Sequence, residues 1–397
     1  MDSQERNADP RVSSAVAGMA LSAIKEMAMR SAAVKDAASL TWGLPSFPTP
    51  APIRAAVRDA LESDPEIGKY ALPDGLPRLR ELVTEIHYAE TGIAVDPARH
   101  VLITAGNMQA LNALFHVLVD PGDEVILTDP GFASHIQQIA LCGGKPVYWT
   151  LDETNGWELD IDALPGLITR RTKAIVLVTP SNPTGKIFGR EQLLRVGEIA
   201  RAHGIFVLLD DPYHHFTYEN EDRYFNLASM PELRDTVLYM FTFSKAYAMS
   251  GWRLGYMIMP DGLKEDVLKV HDATLICTPR ISQVAGIAAL SGDQSHLREF
   301  DAILARRRRL ICERLDAVPH VFDYAVPEGA YYVFPRIVAP HRDSRDFALS
   351  LLDQAKVAVT PGGAFGPAGE HHVRMAYCVG DDVIDLAFDR IEKLFPR

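Results

Sequence analysis

From about residue 100 the chain alternates short apolar β-type runs with amphipathic helical stretches, and this alternation admits few folds. The β-type runs fall at 101–104, 124–128, 146–151, 174–179, 206–210, 237–243 and 255–259, with helical periodicity at 108–119, 134–141 and 192–202. A parallel neighbour needs a crossover, which a helix supplies, so this repetition predicts an α/β fold with a mostly parallel seven-stranded sheet flanked by helices. At 397 residues the chain exceeds what one core usually fills. A helical series at 279–317, a strand-like 330–334, a helix-like 345–355 and the tail 379–395 suit a smaller α+β unit. The expected division is a large domain over 50–285 and a small domain from 1–49 and 286–397.

Hydrophobic residues at 47% and charged ones at 23% describe an ordinary globular chain rather than a disordered one. A formal charge of -12 argues against nucleic-acid or anionic-membrane partners. The apolar stretch 15–29 is broken by Lys25 and Glu26, and reads as neither signal peptide nor membrane span. Cys142, Cys277, Cys312 and Cys378 lack a Cys-x-x-Cys spacing and read as buried thiols of a reducing cytoplasm. The basic run Arg306-Arg307-Arg308-Arg309 lies in a helical pattern and is expected to form a solvated helix face. His214-His215 and His371-His372 raise the question of a metal, but adjacent side chains on a strand diverge, so no metal site is expected.

In open α/β sheets, ligands bind beyond the carboxyl ends of the strands. The polar residues collect there. The run 237–243 leads into Ser244-Lys245, 206–210 ends in Asp210, 174–179 leads into Pro180-Ser181-Asn182-Pro183-Thr184-Gly185, and 101–104 leads into Ala105-Gly106-Asn107 before a helix begins. A lysine desolvated at a buried strand end loses charge and gains nucleophilicity toward a carbonyl, and its product is a Schiff base. Arg253, in Ser250-Gly251-Trp252-Arg253-Leu254-Gly255, offers the forked donor set that suits a phosphate monoester. An aldehyde carrying a phosphate describes pyridoxal phosphate.

Each residue also has a plainer reading. Asp210 either keeps a pyridine nitrogen protonated or caps a loop, and Asn182 either donates to a phenolic oxygen or serves turn chemistry in Asn-Pro-x-Gly. Phe132 either stacks on a ring or is core, and Arg374 either clamps a carboxylate or closes a structural ion pair. The conjunction favours the site.

With these residues in order, the chain resembles the class I and II aminotransferases, fold-type-I pyridoxal-phosphate enzymes similar to aspartate aminotransferase. The markers run from Gly43-Leu44-Pro45 and Tyr70-x-x-x-x-Gly75 through Thr104-Ala105-Gly106, Ser181-Asn182-Pro183-Thr184-Gly185, Asp210 to Tyr213 and Ser244-Lys245, to Pro361-Gly362 and Arg374. The resemblance implies that Lys245 is the Schiff-base lysine and proton shuttle of a ping-pong cycle between an amino acid and a 2-oxo acid. It implies that Asp210 partners the pyridine nitrogen and that Asn182 and Tyr213 hold the phenolic oxygen. Thr242, Arg253 and the backbone of Ala105, Gly106 and Asn107 would hold the phosphate, and Phe132 would stack on the ring. Gly43, Asn182 and Arg374 would receive the substrate carboxylate. Tyr70 would reach the neighbouring subunit's phosphate in a homodimer with shared active sites.

Asp210-Asp211-Pro212-Tyr213 departs from the more frequent Asp-Glu-x-Tyr, Thr242 replaces Ser, and Phe132 replaces Tyr or Trp. Trp42 and His214-His215 are unusual and are expected to border the substrate pocket. Arg280 suits either a distal substrate carboxylate or an interface. Relatives also run β-lyase and oxidase chemistry on this scaffold, so the fold alone leaves those reactions open. A regulatory protein binding the cofactor without turnover would need a DNA-binding domain, for which the first forty residues and the acidic charge are poorly suited.

Overall fold

A computed structural model describes residues 11–19 and 21–397; positions 1–10 and 20, part of the expected small domain, lie outside the described residues. The first strand, β1 (Ala38–Ser39), pairs in parallel with Val357–Ala358 and so joins the N-terminal segment to the last third of the chain. The next eight form one sheet: β2 (Val101–Thr104), β3 (Glu124–Asp129), β4 (Lys145–Asp152), β5 (Glu158–Leu159), β6 (Thr172–Val178), β7 (Phe206–Asp210), β8 (Val237–Thr242) and β9 (Gly255–Ile258). Their order is β2-β9-β8-β7-β6-β3-β4-β5. Strands β4, β3, β6, β7 and β8 run in parallel, β9 is antiparallel to β2 and β8, and β5 is antiparallel to β4.

The seven expected strands are present within one or two residues at their ends. The sheet has eight because the two-residue β5 adds an edge. Helices cover both faces, so the central strands are buried throughout and read as continuous apolar runs. Successive side chains still take opposite faces. Ile126, Ile175, Leu177, Val207 and Leu209 enter one core, while Val125, Leu127, Ala174, Val176 and Leu208 enter the other.

A third core gathers Met27, Ala38 and Leu40 with Phe300, Leu315, Phe347, Met375 and Ile384. Its 22-residue helix Ser295–Asp316 carries the arginine run, and there the sequence expectation needs correction. Arg306 and Arg309 are exposed, but Arg307 is buried, pairing with Asp381 at 3.1 Å and donating to Ser46 Oγ at 2.9 Å. Arg308 lies over the Tyr218 ring and pairs with Glu219 at 2.7 Å. Four consecutive helical positions sweep more than one face, so two of them meet the protein. Among the described residues no helix is long and apolar enough to cross a membrane.

Candidate active site

Five of the parallel or near-edge strands deliver their carboxyl ends to one cleft of about 290 Å³. Its walls include Asn107, Phe132, Asn182, Asp210, Tyr213, Thr242, Lys245, Arg253 and Arg374, with Gly43 from the N-terminal segment. Four cationic side chains, Lys25, Lys245, Arg253 and Arg374, face a single carboxylate, Asp210. That balance suits a ligand with several negative charges.

Lys245 stands in the turn after β8, and its Nζ donates to Gly43 O at 2.6 Å. Burial lowers its pKa from 10.5 to about 8; Cys378 and Asp210 raise it, while Arg374 and Arg253 push it down further. The amine is thus much closer to neutrality than a surface lysine.

Asp210 closes β7 and is buried. Its Oδ1 accepts from Asn107 Nδ2 at 2.6 Å and its Oδ2 lies 3.1 Å from His135 Nε2. Asn107, expected to offer only its backbone, therefore also positions the carboxylate with its side chain. His135 is an addition that sequence reasoning missed. It sits in the helix Ala133–Leu141, buried and edge-on to Phe132 with ring centroids 5.2 Å apart. A histidine on the buried side of a helix that follows a site strand was the available signal.

The turn after β2 makes an anion cradle. Gly106 has φ +78°, and the helix Asn107–Leu118 starts behind it, so first-turn N–H groups point out of the helix. Arg253 Nη2 donates to Ala105 O at 3.1 Å, and a Cβ on Gly106 would stand 2.7 Å from that Nη2. Glycine is favoured because φ +78° lies in the left-handed region that side-chain-bearing residues rarely adopt. Thr242 Oγ1 donates to Ser244 Oγ at 2.9 Å on the same rim.

Arg374, on the strand Val373–Ala376, is buried. Nη1 donates to Asn182 Oδ1 at 3.1 Å and Nη2 to Thr41 O at 2.5 Å, while the guanidinium lies 4.5 Å from the Tyr332 ring centroid and 5.0 Å from that of Phe365. Its Nε is buried without a partner. An orphaned buried donor costs about 1–3 kcal/mol, which an acceptor bound beside it would recover. Tyr213 Oη lies 3.0 Å from Tyr332 Oη, and burial raises the Tyr213 pKa well above its usual value, so it stays a phenol. A Cβ on Gly43 would come within 1.8 Å of Tyr332 Oη, which fixes that position as glycine. Tyr332 is a further wall that the sequence reading did not name, and its neighbour Tyr331 donates from Oη to Gly43 O at 3.2 Å.

The positions whose roles were left to a partner or left open, and the unusual ones, are placed as follows. Tyr70 is 76% exposed and outside the cleft walls. Trp42 does line the cleft, but His214-His215 line a separate hollow, because the turn after Tyr213 directs them away. Arg280 is committed to Asp64, with Nη2 3.1 Å from Oδ2.

An amine of lowered pKa, a buried acceptor positioned by two side chains and a cradle of backbone N–H groups with an arginine form the donor set that pyridoxal phosphate requires. The comparisons agree. Residues 35–391 match the family model for aminotransferase class I and II. The chain is 34% identical to an aspartate aminotransferase of Pyrococcus abyssi, over 94% of this chain and 95% of that one. It is 35% identical to aromatic-amino-acid aminotransferase 2 of Thermococcus litoralis, over 90% and 91%. The solved aspartate aminotransferase of Thermus thermophilus with maleate superimposes with a TM-score of 0.90 at 32% identity, covering 97% of this chain and 99% of that one. Sheet, cleft and sequence thus agree, and the chain belongs to the class I and II aminotransferases as a pyridoxal-phosphate-dependent transaminase.

Proposed function

We propose that this transaminase moves an amino group between an L-amino acid and a 2-oxo acid in two half-reactions, with Lys245 as proton carrier and Arg374 as carboxylate clamp. The observation that carries the reading is the convergence of Lys245, Asp210 and the unpaired Arg374 Nε in one cleft. Pyridoxal phosphate, when bound, supplies an electron sink that makes the substrate's Cα–H acidic. Lys245 Nζ, with a pKa near the working pH, is suited to take the Cα proton and return it. Arg374 and Asn182 hold the α-carboxylate, with Gly43 on the same wall of the cleft. Asp210, held by Asn107 and His135, accepts a ring N–H. Asn182 and Tyr213 would hold the phenolic oxygen, Phe132 would stack on the ring, and Thr242, Arg253 and the Ala105–Gly106–Asn107 backbone would hold the phosphate.

The assembly proposed is a homodimer in which Tyr70 completes the partner's site, supported by a largely exposed tyrosine outside its own cleft. A cytoplasmic setting is supported by four unpaired thiols. The domain division proposed is 50–285 and 1–49 with 286–397, supported by the core that unites the chain's two ends. A panel of amino donors, with 2-oxoglutarate and pyruvate as acceptors, tests the function. New oxo acid without released thiol or consumed oxygen is expected; lyase or oxidase products in its place would sink the reading.

A further inference from the structure

His214 and His215 do not diverge as a strand would require, because they occupy a turn after β7. Their ring centroids are 3.9 Å apart with planes at 49°. His214 Nε2 lies 3.5 Å from Glu90 Oε1, and one ligating atom from each of Glu90, His214 and His215 lies within 4.8 Å of the other two. The His214 side chain is 9% exposed, and its Nε2 faces the Glu90 carboxylate. On its other side, Nδ1 lies 2.9 Å from Asp211 Oδ2. Asp211 is itself fully buried and accepts from Tyr224 Oη at 2.5 Å and Tyr239 Oη at 3.0 Å.

We propose that Glu90, His214 and His215 form a site for a divalent transition ion of the imidazole-preferring class, with Zn²⁺ as its representative. Ligand bonds of about 2.1 Å in tetrahedral geometry separate ligand atoms by roughly 3.4 Å, which the His214–Glu90 pair already matches. The carboxylate of Asp211 behind Nδ1 supplies the outer support that metal-bound imidazoles use to fix their tautomer. Glu90 also sits in the last turn of the helix Pro77–Thr91, where the helix dipole is negative and a cation is favoured. The hollow beside the cluster, bounded by Thr217, Glu221 and Tyr224, leaves room for a water in the fourth position. None of the three ligands lines the cofactor cleft, so the ion braces the segment that carries Tyr213 and takes no part in proton transfer.

The holoenzyme, stripped with a chelator and titrated calorimetrically with Zn²⁺, is expected to take up one ion per chain. Glu90→Gln, at an exposed position that tolerates the change, and His215→Gln should each weaken uptake at least about tenfold. His371→Ala removes one member of the other close histidine pair, His341 Nε2 to His371 Nδ1 at 3.3 Å, and should leave uptake unchanged. Co²⁺ should show a visible d–d band that changes in Glu90→Gln, whose circular dichroism should match the parent. Uptake that survives both ligand variants, or is lost with His371, overturns the site. No uptake at all also overturns it, leaving His214 as an imidazolium between two carboxylates.

Discussion

Lys245 Nζ donates a 2.6 Å hydrogen bond to the carbonyl oxygen of Gly43, 202 positions earlier. The same glycine is where Tyr332 leaves no space for a methyl group. Gly43→Ala is therefore expected to displace the segment that holds the lysine and that is proposed to receive the substrate carboxylate. Overpacking of this kind costs about 1–3 kcal/mol. The expected result is a lowered Tm together with a raised KM for amino and oxo acids alike. Parental Tm and kinetics would show that the segment moves aside freely.

Lys245→Ala should abolish transamination, and borohydride should fix the cofactor to a single peptide containing Lys245 in the parent protein. The lowered pKa adds a pH test. Only the neutral amine is nucleophilic, so capture of pyridoxal phosphate by the apoenzyme should accelerate with rising pH and level off above about 8. An apparent pKa near 10.5 would mean that the amine is not desolvated.

Asp210→Asn is expected to keep the fold but lose roughly 100-fold in kcat, the scale of one lost electrostatic contact in a catalytic site. His135→Phe removes one of the two supports of that carboxylate and should cause a smaller loss in the same direction. Near-parental turnover in Asp210→Asn would reduce Asp210 to a capping residue.

Arg374→Lys replaces a forked donor with a point charge and should lower kcat/KM about 10- to 100-fold for every amino acid and oxo acid tested, because each shares the α-carboxylate. A defect confined to dicarboxylic substrates would place Arg374 at the side-chain end of the cleft.

A Tyr70→Ala subunit mixed with a Lys245→Ala subunit should regain activity if Tyr70 serves the partner's site, since one site of the hybrid then has both residues. With exchange of subunits verified and each parent impaired, a mixture no more active than its parents would refute sharing.

The sheet was legible because seven of its strands carry long, nearly continuous apolar runs; Glu158–Leu159 was not, since two residues carry no periodicity. Lys245, Asp210, Asn182 and Arg374 were legible as polar residues breaking apolar patterns at strand ends or within a strand. Their supports were not. His135 lies 75 positions from Asp210, and Asn107 lies 103 away, so only the finished sheet order brings them together. Arg307 and Arg308 misled because a run of charge says nothing of which helix face meets the rest of the chain. His214-His215 were expected to diverge because a strand-based rule was applied to a turn, where their ring centroids lie 3.9 Å apart.

Thr41 and Arg374 share a hydrogen bond across 333 positions, and this has a consequence for how the protein comes into being. A ribosome releases the chain from its beginning, so β2 to β9 can pair, and Lys245 and Asp210 can find their places, while Arg374 is still untranslated. Contacts of such sequence separation form late. A nascent chain can thus set Lys245 and Asp210 in place before Arg374 exists to join them, and the cleft is complete only once the strand Val373–Ala376 has docked on the segment around Thr41.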